Sequence, residues 1–437
     1  MKIEAIEKLA QIGVQRKASV DGQAIFLHFS DTLIAAMIGV RLPESLKISK
    51  IVRELRSDSL GLLNLSAAIR MTEIDDIHIS SGVTVSSVVV PAALCCLFKN
   101  PENHSVFMDS MSAGYQVSLR LANAMGGAKL MSKGLWPTYL IAAVGSAVTT
   151  GRFLGLSQTQ MENAIALALS QTPRSVGKSQ GEFPGRWFLF GQAVERGWSC
   201  ANAALFHLEG DKSLLTDEWL KTIGGVDANI DALNEEVSVE SISFKPFCAA
   251  KQTLSAIEGF KNILEMGIDP EEIESIEVSV PQAYAGMIDR EPFSASRLAS
   301  MVSVKWQLAL TAYEPKHLFK IERNFDFNLK PLEKFMRQIK VKADPSLENY
   351  YPKHWPAKIN VLSGSKNFES VLYSSNGDND SHPWTISNIY EKGARFNLKS
   401  SQLQILKNSL QVLDEKYELV DLAEKLKFVL LESSLIN

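Results

Sequence analysis

The sequence predicts a mainly α protein with an inserted α+β domain, and three observations carry that prediction. Apolar residues recur at helical spacing in one segment after another from Met1 to about Gly210. Near residue 237 the period drops to two. Beyond about residue 384 the helical period returns, so a helical tail rejoins a helical start. The expected boundaries are 1–240 and 385–437 for the helical domain and 241–384 for the inserted one. A chain of 437 residues accommodates two or three domains, and a core of that size needs neither disulfides nor a structural metal.

The N-terminal MKIEAIEKLAQIGVQ alternates charged and apolar residues at helical spacing and has no signal-peptide core. DTLIAAMIGVRL (31–42) follows, with Asp31 placed as an N-cap. VVVPAALCCLF (88–98) is the longest apolar run, interrupted by Pro91 and far short of the ~20 residues a membrane span requires. It reads as a buried core helix. Helices over 104–125, 139–155 and 158–171 are rich in Ala, Gly and Ser on nearly every face. Helices apolar all round are buried, and small residues let them approach closely. GLWP (134–137) and GLSQ (155–158) are the turns between them.

The segments IESIEVSVP (273–281), RQIKVKADP (337–345), AKINVLSG (357–364) and FESVLYSS (368–375) alternate apolar and polar residues, as half-buried antiparallel strands do. Helical stretches at 251–267 and 295–313 lie among them. SNGDNDSHPW (375–384) is a turn cluster, and helices over 400–413 and 419–435 close the chain. Composition narrows the function classes. Charged residues make up 22% and the net charge is −4 without blocks, which leaves no basic footprint for nucleic acid. Cys95, Cys96, Cys200 and Cys248 have no CxxC spacing and suit a reducing cytosol, so a cytoplasmic protein with no membrane association is expected.

Three stretches are candidates for chemistry. RMTEIDDIHISSG (70–82) sets Glu73, Asp75, Asp76 and His78 within six positions, flanked by apolar runs. Such a cluster is either a solvated loop or a set of acids at the edge of a buried core, where carboxylates pair with cations or become proton donors. A metal site is not expected, since the seven histidines are scattered. Lys245 in FKPFC is either a snorkelling linker lysine or a partly desolvated ammonium able to hold a carboxylate or move a proton. GKSQGEFPGRW (177–187) offers Lys178 and Arg186 on a glycine-rich loop before a helix, which is either ordinary surface or an anion-receiving element. Cys248 reads as a small buried residue rather than a nucleophile.

In order and register, several segments resemble one family. RMTEIDDIHISSGVTVSSVVVPAAL (70–94) is similar to the "DFDDTH…HPSxxVVPAAL" segment of the MmgE/PrpD family. GYQVSLRL (114–121), LWPTYLIAAVGSAV (135–148), ALSQ (168–171) with GQAVERG (191–197), SFKPFCAAKQTLSAIEG (243–259) and SSNGDNDSHPWTISNIYEKG (374–393) resemble its further motifs. The family includes 2-methylcitrate dehydratase, cis-aconitate decarboxylase and iminodisuccinate epimerase. The resemblance implies a helical domain with an inserted α+β lid, a homodimer, and a cofactor-independent lyase acting on a small organic acid. An epimerase or isomerase, a decarboxylase, and a diverged ligand-binding or scaffold protein are the alternatives.

Carried over by position, the family's first-motif carboxylate falls on Glu73, followed by Asp75, Asp76 and His78, and its lid lysine falls on Lys245. The resemblance thus implies Lys245, Glu73, Asp75, Asp76 and His78 as catalytic and Arg186, Lys251, Trp136, Thr84 and Lys178 as substrate-binding. Departures accompany it. Thr84 and Trp136 stand where the family has histidines, Ala250 replaces a His or Cys, Arg186 a lysine, and Lys251 an arginine. An indole cannot exchange protons at neutral pH, so Trp136 can only shape the pocket, which suggests a substrate other than a tricarboxylate. Charge balance further predicts that residues 73–78 and Lys245 face one another across the domain cleft, with Arg186 near.

Overall fold

In a computed structural model, residues 4–15, 22–55, 59, 61–172, 184–291, 297–323, 327–409 and 416–432 are described. The chain divides into two compact units. The first comprises residues 1–243 and 384–437, the second residues 244–383.

Helices build the first unit because its segments are apolar on every side. Ser86–Lys99 has thirteen of its fourteen residues buried, and Pro137–Phe153 sixteen of seventeen. Their neighbours include Gly22–Gly39, Leu62–Arg70, Phe107–Ala124, Gln158–Leu169 and Gly185–Leu205. Ser157 opens one of these with a capping box, its Oγ accepting from Gln160 N at 3.3 Å while Gln160 Oε1 accepts from Ser157 N at 3.0 Å. Small residues bring the helices together. A Cβ at Gly197 would lie 2.0 Å from the Ala143 carbonyl oxygen, and one at Gly191 would lie 2.2 Å from that of Leu63. Strand β1 (Ile77–His78) pairs antiparallel with β2 (Ile242–Ser243), which ties the acidic stretch to the end of this part of the chain. The C-terminal helices Ile386–Arg395, Ser400–Ser409 and Lys416–Lys427 belong to the same unit.

Asp31 is not an N-cap. The helix it was expected to open begins at Gly22, and Asp31 lies in its interior with no exposure. A capping rule reads an aspartate by its local neighbours; this one is placed by a distant lysine, described below.

In the second unit, β3 (Ile273–Val280), β4 (Ile339–Ala343), β5 (Ala357–Ser363) and β6 (Lys366–Leu372) form one sheet in the order β4-β3-β5-β6. β5 pairs antiparallel with both β3 and β6. The β3–β4 pair, however, is parallel, with Ile276 opposite Ile339 and Val280 opposite Ala343. All-antiparallel pairing was expected. Period-two alternation reports burial and not direction, and the long helical crossover between these two strands permits the parallel arrangement. The helix Lys251–Leu264 packs on β5 and β6. Of the stretch 295–313, the described residues 297–313 form two helices divided at Ser303, whose Oγ caps the second through Trp306 N at 3.2 Å. All four cysteines are buried. Among the described residues no single helix is long and apolar enough to cross a membrane.

The glycine contacts set the helix spacing, so Gly197→Ala must push Gly185–Leu205 away from the Ala143 backbone. Its urea midpoint should fall by the equivalent of about 1–3 kcal/mol; an unchanged midpoint would show that the two helices can separate freely.

Candidate functional site

The acidic stretch is interior. Glu73, Asp75, Asp76 and His78 are all buried, Asp75 and Asp76 completely. What makes this possible is Arg70, the last residue of the helix Leu62–Arg70. Its Nη1 donates to Asp75 Oδ1 at 2.7 Å and its Nη2 to Glu73 Oε1 at 3.1 Å. The guanidinium carbon lies 5.0 Å from the Trp187 ring centroid and 5.6 Å from that of Trp136, both within cation–π range. Burial works against the Arg70 charge, but Asp75 and Glu73 outweigh it and hold the guanidinium pKa above its ordinary value. Glu73 has φ +56°, a left-handed conformation that a glutamate adopts only when its surroundings impose it.

Behind this loop lies a second buried polar cluster. Asp76 Oδ2 accepts a short hydrogen bond from Ser86 Oγ, which also lies 2.7 Å from the Tyr115 hydroxyl. His28 Nδ1 approaches the same Asp76 oxygen at 2.8 Å, without the alignment of a full hydrogen bond. Asp31, one turn along from His28, is paired with Lys392 at 2.5 Å. Desolvation pushes the Asp31 carboxyl up, Lys392 pulls it down, and nearby Asp76 adds to the rise, with a net upward shift. Burial, reinforced by Asp76, likewise raises the Tyr115 phenol well above its usual range.

His78 sits on β1 with Nδ1 2.7 Å from Ser81 Oγ and Nε2 3.4 Å from Ser80 Oγ. Desolvation, opposed only by Asp76, lowers its pKa to about 4, so the imidazole is neutral at neutral pH. Thr84 Oγ1 is 3.1 Å from Thr138 Oγ1 and joins a hydroxyl network in the core. Trp136 is half-buried and anchors an aromatic group, stacking on Tyr139 at 6.1 Å and meeting Trp187 and Phe190 at 5.3 Å each. Arg186, in the first turn of Gly185–Leu205, lays its guanidinium 4.1 Å from the Trp187 centroid. Trp187 therefore carries Arg70 and Arg186 together. Lys178 lies outside the described residues.

The other candidates belong to the second unit. Lys251 is buried and ion-paired with Asp378, and its Nζ also donates to Ser375 Oγ at 2.7 Å. Its charge is thus already committed to the turn cluster at 375–378. Lys245 is 1% exposed and ranks among the largest fully buried side chains, so it is not a loosely packed linker lysine. Removing it would create a cavity. The Cys248 carbonyl accepts from Arg323 Nη2 at 2.6 Å, a structural role. Among the described residues no group of three or more His, Cys, Asp or Glu is placed to hold a metal ion.

The structure thus brings Glu73 and Asp75 together through Arg70, and Asp76 to His28. Arg70, Trp187, His28, Asp31 and Lys392 were not singled out as site residues by sequence reasoning. Arg70 had a legible signal, being three and five residues before two of the acids. Lys392, 361 residues from Asp31, had none.

The family model described as the MmgE/PrpD N-terminal domain matches residues 22–228, and the one described as the MmgE/PrpD C-terminal domain matches residues 247–404. A cis-aconitate decarboxylase of Aspergillus terreus is 24% identical over 182 residues, covering 40% of this chain and 36% of the relative. A cis-aconitate decarboxylase-like protein of Aspergillus oryzae is 27% identical over 143 residues, 29% of this chain and 30% of the relative. The human cis-aconitate decarboxylase is 28% identical over 106 residues, 24% of this chain and 22% of its own. The chain spans about a third or less of the length of these curated relatives.

The neutral His78 has a consequence for acid stability. An unfolded chain binds the histidine proton near the ordinary value of 6.5, whereas the native state resists it down to about 4. Between those limits the unfolded state holds more protons, so this residue makes stability fall as pH drops from 6.5 to 4. Urea unfolding of His78→Gln across that window should show a shallower loss than the parent protein; an identical slope would mean that the native imidazole is protonated normally.

Proposed function

The chain belongs to the MmgE/PrpD family, and from that premise we propose that it is a cofactor-independent lyase of a small organic acid. In this reading a proton is removed from the carbon α to a carboxylate, the β-hydroxyl leaves with a second proton, and the products are an alkene acid and water. Glu73 is the proposed base, since it holds the position of the family's first-motif carboxylate. Its left-handed φ of +56° is the observation that carries the proposal. Strain of that kind, fixed by an ion pair to Arg70, is stored where a side chain must keep one orientation. Arg186 is the proposed clamp for the substrate carboxylate. Its guanidinium plane is oriented by the Trp187 ring, and it stands in the first turn of a helix, where free backbone N–H groups also favour anions.

Trp136 supports a substrate narrower in charge than a tricarboxylate. It fills a family histidine position with an aromatic surface that packs on Trp187 and Phe190. The names of the relatives keep decarboxylation open as the bond-breaking step, and epimerisation shares the same first proton transfer. One observation favours a different reading, a diverged protein that binds a small acid without turning it over. Thr84, Trp136 and Ala250 together remove three imidazole or thiol positions, and Thr84 is absorbed into a core hydroxyl network.

A panel of hydroxy- and amino-dicarboxylates with cis-aconitate, incubated with the protein in D₂O and followed by NMR, separates these readings. The lyase reading expects deuterium at the α-carbon of at least one acid, with the rate falling about 100-fold or more in Glu73→Gln, the size of a lost general base. Binding without exchange across the whole panel would overturn it in favour of the diverged binder.

A further inference from the structure

We infer that Lys392, far from the acidic stretch in sequence, is the positioning residue that holds the Glu73 loop in its working shape. The inference rests on the reading of that loop as a site. Lys392 lies on the helix Ile386–Arg395, and its ammonium is buried to 1% exposure. Nζ donates to Asp31 Oδ1 at 2.5 Å and to the Ile74 carbonyl oxygen at 2.6 Å, and lies 5.8 Å from the Trp384 ring centroid. Ile74 stands between Glu73, with its left-handed backbone, and Asp75, the acid held by Arg70. The Lys392 bond therefore falls on the residue between the two acids paired with Arg70.

The two ends of Ile74 are held separately. Its N–H donates to Thr72 Oγ1 at 3.3 Å, and Thr72 in turn donates to the Ile69 carbonyl at 2.7 Å. Its carbonyl is taken by Lys392. Arg70 fixes the side chains of Glu73 and Asp75, but a side-chain ion pair leaves the peptide between them able to rotate. The carbonyl bond removes that freedom. A buried Lys–Asp pair is seldom the most stable solution for a core, where apolar residues of like volume serve as well, so stability alone does not explain this one. The pair brings a donor to the residue that follows a strained one, and that is the role assigned to it. Asp31 takes a second bond from the same ammonium.

Lys392→Met alone would leave Asp31 buried without a cation, so the test uses Asp31→Asn with Lys392→Met, which removes both charges at nearly constant volume. Asp31→Asn alone, which retains the donor to Ile74, is the control. Hydrogen–deuterium exchange by mass spectrometry is read over residues 70–79 against urea stability. In the double variant, amides of 71–78 should exchange about five- to tenfold faster, the scale of one lost hydrogen bond, while the flanking helices keep the parental rate. Asp31→Asn should resemble the parent. Parental exchange over 71–78 in a folded double variant would overturn the proposal and leave Lys392 a staple between helices. If the double variant does not fold, the parent decides. Its 71–78 amides must be as protected as those of Leu62–Arg70, and faster exchange there overturns the proposal equally. Exchange needs no substrate, so the result stands apart from whether any acid is turned over. Where one is, the double variant should lose kcat about tenfold with KM retained, the pattern of a misplaced base.

Discussion

The Arg70 guanidinium is the interaction on which the burial of Glu73 and Asp75 depends. Three carboxylates within four positions cannot be taken into a helical core as free charges, because each would be neutralised by protonation or expelled. Arg70 answers two of them directly, at 2.7 and 3.1 Å, and the same two acids outweigh its own desolvation, with two indole rings in cation–π range. Trp136 and Trp187 are thus more than apolar filling. They supply π surfaces within cation–π range of the guanidinium. The third acid, Asp76, is met by a different set, His28 and Ser86, with Tyr115 behind. The acidic stretch is held in the interior by these partners.

Close helix packing is the condition for this arrangement. Gly191 and Gly197 let one long helix approach the backbones at Leu63 and Ala143, and that same helix begins with Arg186 and Trp187. A bulkier residue at either glycine would move the Trp187 indole relative to Arg70. Packing and electrostatics are coupled here through a single rigid element. The C-terminal helix Ile386–Arg395 adds the complementary constraint from the far end of the chain, through Lys392.

Much of this fold was legible from residue spacing. All four alternating segments are strands, and the all-apolar segments are buried helices, because period reports how many faces an element buries. What spacing could not reach were partners distant in sequence. Asp31 looked like a cap because capping is a local rule, whereas its partner is Lys392. Lys251 looked like an anion clamp because Asp378 is 127 positions away. The parallel β3–β4 pair was missed for a related reason, since alternation is the same in either strand direction. Arg70 is the instructive case. Its spacing to Glu73 and Asp75 was visible, but the two indoles beside it, distant in sequence, were not.

Stability of Arg70→Met measures the central claim most directly. If the guanidinium is what permits the acids to be interior, its loss strands two buried carboxylates and costs about 3–5 kcal/mol in urea unfolding at neutral pH. Adding Glu73→Gln and Asp75→Asn to the same chain should then recover most of that loss, because the stranded charges are gone. An Arg70→Met protein with the parental midpoint would contradict the account, as would a triple variant no more stable than the single one.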